Sequence, residues 1–98
     1  MSFTLASPTD VQRDLAARAK ARRLALGFTQ QAAAERAGMS LSSLKRFERT
    51  GEVALSSLLR LALVLDALGE FGHLFEPSED RTLDDVLAEG RRKRGWRA

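Results

Sequence analysis

The stretch QQAAAERAGMSLSSLKRFE, residues 30–48, decides the fold. With Gln30 as its first position, the fifth is Ala34, the ninth Gly38, the fifteenth Leu44 and the eighteenth Phe47. Two helices that cross at the fifth position need a side chain as small as alanine there. A turn at the ninth needs a positive φ, which glycine adopts without steric penalty. Apolar residues at the fifteenth and eighteenth anchor the second helix to a core. Thr29 and Ser40 stand where each helix needs an oxygen to cap its first N–H groups. Each match alone is weak, but together they predict two short helices joined by a tight glycine turn, a helix-turn-helix.

Working outward, Ser7, Pro8 and Asp10 form a helix start, with cap, first-turn proline and an acid three residues on. Helix 1 is predicted to run to about Leu26 and stop at Gly27. Helix 2 runs from its Thr29 cap to Ala37, and helix 3 from Ser40 to Arg49, ending around Thr50 and Gly51. Helix 4 is predicted to begin near Leu55 and end by Gly69, with a further turn over residues 70–75. Strand signals are confined to a short alternation over Met1 to Leu5. Residues 76–81 read as a polar linker. Thr82 and Asp85 then make a capping box opening a short helix over 83–89, closed by Gly90. Leu83, Val86 and Leu87 share one face of it, and so short a helix needs a surface to dock on. The expected class is all-α, a bundle of four to five helices with a short C-terminal helix and a basic tail. Residues 1–6 are read as an arm, 7–75 as the DNA-binding and dimerisation domain, and 76–98 as a partner-binding region.

The 98 residues contain no cysteine, which excludes disulfides and thiolate metal sites, and one histidine, His73, which argues against an imidazole site. No cofactor and no metal are expected. The opening residues lack the pattern of a secretory signal, and the apolar run 58–68 is broken by Arg60 and Asp66 and is too short to span a bilayer. A soluble, cytoplasmic protein with no membrane partner is therefore expected. The net charge of +3 conceals a segregation. Residues 1–51 carry nine basic and four acidic side chains, residues 52–89 two basic and nine acidic, and residues 90–98 five basic and no acidic ones. Separate surfaces for separate partners follow.

Advancing 100° per residue along helix 3 sets Leu44 and Phe47 towards the core and Ser42, Lys45, Arg46 and Arg49 opposite them. That outer face is the candidate for the DNA major groove. Arg46 is the expected bidentate partner of guanine, and Ser42 and Ser43 can donate to bases or phosphates. The start of helix 2, with Thr29, Gln30 and Gln31, and the Ser40 cap are expected beside phosphates, Gln30 through its side chain and backbone N–H. Arg18, Arg22 and Arg23 on helix 1 are candidates for further phosphate contacts.

Residues 15–68 resemble the Cro/CI-like, or xenobiotic-response-element, helix-turn-helix repressors. The likeness is carried by Leu26-Gly27-Phe28-Thr29-Gln30, Ala37-Gly38-Met39-Ser40 and Phe47-Glu48-Arg49. It implies a lambda-repressor-like fold and repression from a palindromic operator in double-stranded DNA. It also implies that Arg23 pairs with Glu48, tying helix 1 to helix 3 and aiming the arginine at a phosphate. Two positions depart from the pattern. Leu41 stands where the family often has a polar base reader, so it either touches a thymine methyl or covers the core edge. Ala54 stands where a serine usually opens helix 4.

Helix 4 carries leucine, valine or alanine on nearly every side, and a helix apolar all round must be buried on more than one side. A homodimer is expected through Leu61, Leu65, Leu68, Phe71, Leu74 and Phe75. The run from Leu44 to Glu52, and Leu83-Asp84-Asp85-Val86-Leu87 ahead of a basic end, are similar to HipB-like antitoxins. That resemblance implies a bacterial, nucleoid-associated protein that represses its own operon and binds a HipA-like toxin kinase. Leu83, Val86, Leu87 and Trp96, the one tryptophan, are the candidate contacts. A stand-alone phage-type or metabolic repressor and a protein-interaction adaptor are the competing readings. No nucleophile–base pair or phosphate loop supports an enzyme, and helix capping accounts for the adjacent Asp84 and Asp85.

Overall fold

A computed structural model of the chain describes residues 7–77. The opening alternation, the short helix expected over 83–89 and Trp96 lie outside the described residues. All the regular structure among the described residues is helical: α1 Pro8–Ala25, α2 Gln30–Ala37, α3 Leu41–Thr50, α4 Leu55–Val64 and α5 Leu68–Phe71. This is the all-α bundle expected.

Each start is set by a local device. Ser7 Oγ accepts from the Asp10 N–H at 3.1 Å, and Asp10 Oδ2 accepts from the Ser7 N–H at 3.3 Å, closing a capping box on α1. Thr29 Oγ1 caps α2 through the Ala32 N–H, and Ser40 Oγ caps α3 through the Ser43 N–H, both at 3.0 Å. Ala54 occupies the N-cap of α4 with extended backbone and no side-chain hydrogen bond. Gly38 ends α2 at φ 67, and the Met39 N–H reaches back to the Ala34 carbonyl at 3.0 Å.

α1 packs on α3, α2 on both α3 and α4, and α5 on α4. Small residues on α1 and α2 (Ala16, Ala33, Ala34 and Ala37) let the helices approach, and Leu44, Phe47, Leu61 and Leu65 fill the space between them. Leu44 and Phe47, at 0% and 1% exposed, each contribute about 1.5–3 kcal/mol by burial. Gly51 ends α3 at φ 84 pressed against α1, where a Cβ would stand 2.8 Å from the Gln12 backbone. Arg60 of α4 donates from Nε to the Ala37 carbonyl at 2.9 Å, satisfying an end of α2 that lacks intrahelical donors.

Helix 4 is shorter than the sequence predicts. It ends at Val64, and Asp66 turns the chain at φ 58 before α5 begins. The Ala67 N–H reaches back to the Ala62 carbonyl at 2.8 Å, and Arg22 Nη2 holds the Asp66 carbonyl at 3.0 Å. Aspartate tolerates this left-handed conformation better than most residues, so an apolar run without glycine is nevertheless broken.

Candidate nucleic-acid interface

The centre of the interface is a buried polar joint. Arg23 of α1 donates from Nε to Glu48 Oε2 at 2.7 Å and from Nη2 to Glu48 Oε1 at 3.1 Å. Its Nη1 donates to the Phe28 carbonyl at 2.8 Å. Gln30, the first residue of α2, donates from Nε2 to Glu48 Oε1 at 2.9 Å. The two charged side chains are 6% and 5% exposed. One carboxylate on α3 thus gathers donors from α1 and α2, and a planar guanidinium fixes its plane as well as its distance. Three helices are set in register by directional bonds at one point.

The pairing of Arg23 with Glu48 is as expected, but Arg23 does not face a phosphate. Its guanidinium is buried and committed to Glu48 and to the α1–α2 turn, so it acts as the joint. Gln30 likewise turns its side-chain amide inward, leaving its backbone N–H in the first turn of α2, where helix geometry provides no partner. Arg22 and Arg18 are exposed, and each has an acidic partner. Arg22 pairs with Glu70 at 3.4 Å and with the turn at Asp66, and Arg18 pairs with Asp14 at 2.9 Å. Both line a groove formed with α4 and α5.

The joint holds α3 with an outer face of one character. Ser42, Lys45, Arg46 and Arg49 are all exposed, and their spacing of three, four and seven residues places them on one side of the helix. Lys45 and Arg49 make no hydrogen bond or ion pair among the described residues, so their charges are available. Ser40, Ser42 and Ser43 gather their hydroxyls at the N-terminus of α3, Ser40 Oγ lying 2.8 Å from Ser43 Oγ and 3.2 Å from Ser42 Oγ. Leu41 is half-buried. Thr29 is exposed and engaged as a cap, and Gln31 is exposed and donates to Glu35 at 3.3 Å. The Gln30–Glu48 bond brings this start of α2 beside the C-terminal half of α3. The arrangement can present cations and hydroxyl donors together to a polyanion.

Arg46 has a partner that helix periodicity does not reveal. Glu52, beyond the end of α3, accepts from its Nη2 at 2.7 Å and its Nε at 3.2 Å. Arg36 stacks on the Phe28 ring at 4.8 Å, bracing the turn before α2.

At the other end, the expected dimer residues divide. Leu61 and Leu65 are 1% and 3% exposed and belong to the core of a single chain, so neither offers surface to a second copy. They face inward because α4 has a sided pattern: the side carrying Leu61, Ala62 and Leu65 is buried, whereas Leu55 and Leu63 are exposed. Phe71 is half-buried, and Leu68, Leu74 and Phe75 are exposed. Phe71 and Leu74 border the groove that Val11, Leu15 and Leu58 also line. Among the described residues no cluster of side chains could hold a metal ion, and no helix is long and apolar enough to cross a membrane.

A family model described as a helix-turn-helix domain matches residues 14–74, well over half of the chain, from within α1 to beyond α5. No curated protein matches it.

Proposed function

The chain belongs to the helix-turn-helix domain family, and within that family we propose that it is a sequence-specific DNA-binding transcriptional repressor. The observation that carries this reading is the outer face of α3. Lys45, Arg46, Arg49 and Ser42 project from a helix whose orientation is fixed by the Arg23–Glu48–Gln30 joint. A protein-interaction adaptor has no need of three exposed cations on one rigid face. In the proposed complex, α3 enters the major groove, Arg46 reads a guanine, and Lys45, Arg49 and the start of α2 position the protein on phosphates. The repressor is a homodimer on a palindromic operator, joined through Leu68, Phe71, Leu74 and Phe75, as the exposure of apolar side chains at that end supports.

The finer reading is of a cytoplasmic, xenobiotic-response-element-type antitoxin that represses its own operon and binds a HipA-like kinase. It is supported by the sequence likeness to HipB-like antitoxins and by the composition of residues 76–98, with Leu83, Val86, Leu87 and Trp96 as the contacts. Co-purification with the product of the adjacent gene, lost on replacing Trp96 and Leu87 by alanine while DNA binding persists, separates an antitoxin from a stand-alone repressor.

The primary test is selection from duplexes with a randomised core, followed by fluorescence anisotropy on the selected duplex across a salt series. Expected are a two-fold symmetric preferred sequence and a steep fall of affinity with salt, reflecting the phosphates neutralised. Lys45→Ala and Arg49→Ala should each weaken binding to all sequences and reduce the salt slope by about 1. Absence of any enriched sequence would sink the repressor reading and leave the adaptor.

A further inference from the structure

Glu52 puts a negative charge beside the face proposed to meet a polyanion. Its side chain and that of Arg46 are 58% and 62% exposed, and pairs this exposed contribute little to stability. Yet the backbone that carries the carboxylate is fixed beside Arg46. Thr50 Oγ1 donates to the Arg46 carbonyl at 2.8 Å and accepts the Glu52 N–H at 3.1 Å. Between them Gly51 is buried, its N–H bonded to the Phe47 carbonyl at 2.7 Å and its carbonyl accepting from Gln12 Nε2 at 3.3 Å. A closed ring of hydrogen bonds results: Arg46 backbone, Thr50 hydroxyl, Glu52 backbone, Glu52 carboxylate, Arg46 guanidinium.

The edge of the guanidinium that Glu52 occupies matters most. Nε and Nη2 both point at Glu52 Oε1. That is the side edge, and its occupation leaves the end edge, with one N–H each from Nη1 and Nη2, without a partner among the described residues. Two parallel donors in that arrangement match the O6 and N7 acceptors of guanine. A phosphate is an equally good partner for a free guanidinium, but its approach to the side edge is blocked and its charge is repelled by the carboxylate.

We infer that Glu52 is a specificity-determining positioning residue, which holds Arg46 end-on for a guanine and turns it away from phosphates. The inference rests on the proposed reading of DNA by α3 and names the device that gives that reading its selectivity. Glu52 lowers affinity for DNA in general and widens the gap between the preferred and other sequences.

The test uses the full chain and its Glu52→Ala, Arg46→Ala and doubly substituted forms, with the duplex selected by the unsubstituted protein and a pool of random duplexes as probes. Glu52→Ala should bind random duplexes several-fold more tightly, because an anion has been removed from a polyanion's path. The ratio of selected to random affinity should fall about tenfold, and preference should relax at the one base pair in each half-site where Arg46→Ala also relaxes it. In the Arg46→Ala background, Glu52→Ala should leave the ratio unchanged. Thermal melting should barely move. Equal effects of Glu52→Ala on selected and random duplexes, or an undiminished effect on the ratio without Arg46, would overturn the inference. Arg46→Ala that spares every base preference would overturn it while leaving DNA binding by α3 intact. A chain that selects no sequence at all overturns both this inference and the repressor reading.

Discussion

Around α3 the chain is fixed by directional polar bonds, whereas around α5 it presents apolar side chains that no direction governs. Arg23, Gln30 and Glu48 meet with distances of 2.7–3.1 Å, and the two charged side chains are shielded from water. Leu74 and Phe75, by contrast, are 59% and 101% exposed. A surface that must reach individual base edges needs an orientation defined to fractions of an ångström, and charge-assisted hydrogen bonds supply that. A surface that joins copies gains from area and tolerates imprecision. The two ends therefore suit different tasks, and substitutions that break each should fail in different ways.

The largest effect is expected at the joint. Glu48→Ala leaves the Arg23 guanidinium buried without its carboxylate and should destabilise the domain by about 3–5 kcal/mol, seen as a lower thermal midpoint. Replacing Arg23 and Glu48 together by methionine should destabilise it less than Glu48→Ala alone, because no uncompensated charge remains. A single substitution costing under about 1 kcal/mol would mean that the pair behaves as an ordinary surface one.

Next come the two turns that flank α3. Gly51→Ala combines a left-handed backbone with a Cβ 2.8 Å from the Gln12 backbone, and should cost about 2–4 kcal/mol. Gly38→Ala meets nothing nearer than Arg60 Nε at 3.8 Å, so about 1–2 kcal/mol of backbone strain is expected. Equal losses at the two sites in chemical denaturation would show that the α1–α3 contact at Gly51 relaxes freely.

At the apolar end, aspartate at Leu74 and Phe75 should leave the melting of a single chain nearly unchanged. The same pair should convert a dimer to a monomer in sedimentation equilibrium at micromolar concentration. A chain that is monomeric without these substitutions would remove the apolar end from the account of assembly. The smallest effect is a gain: Ala54→Ser places an oxygen at the uncapped start of α4 and should stabilise by roughly 1 kcal/mol.

Much of the fold was legible because it is written in short spacings. Caps at Ser7, Thr29 and Ser40, the turn at Gly38 and the anchors Leu44 and Phe47 all depend on residues within a helical turn or two of each other. The Arg23–Glu48 pair came instead from a family resemblance, which stored a contact across 25 residues. What was not legible depends on chain reversals. The Arg46–Glu52 pair spans a glycine turn and obeys no helical period. Arg60, read as an interruption of an apolar run, proves to cap α2. The break at Asp66 lacks the glycine that usually marks one, and the nearly all-round apolar sequence of α4 hid the sidedness that puts Leu61 and Leu65 in the core.

If DNA meets the outer face of α3, amide chemical-shift mapping will locate it there. The full chain is titrated with the duplex it selects, and perturbations are followed residue by residue. The largest changes are expected on Gln30, Gln31 and residues 40–49. Changes confined to α4 and α5, or spread evenly over the domain without a maximum at α3, would contradict that placement.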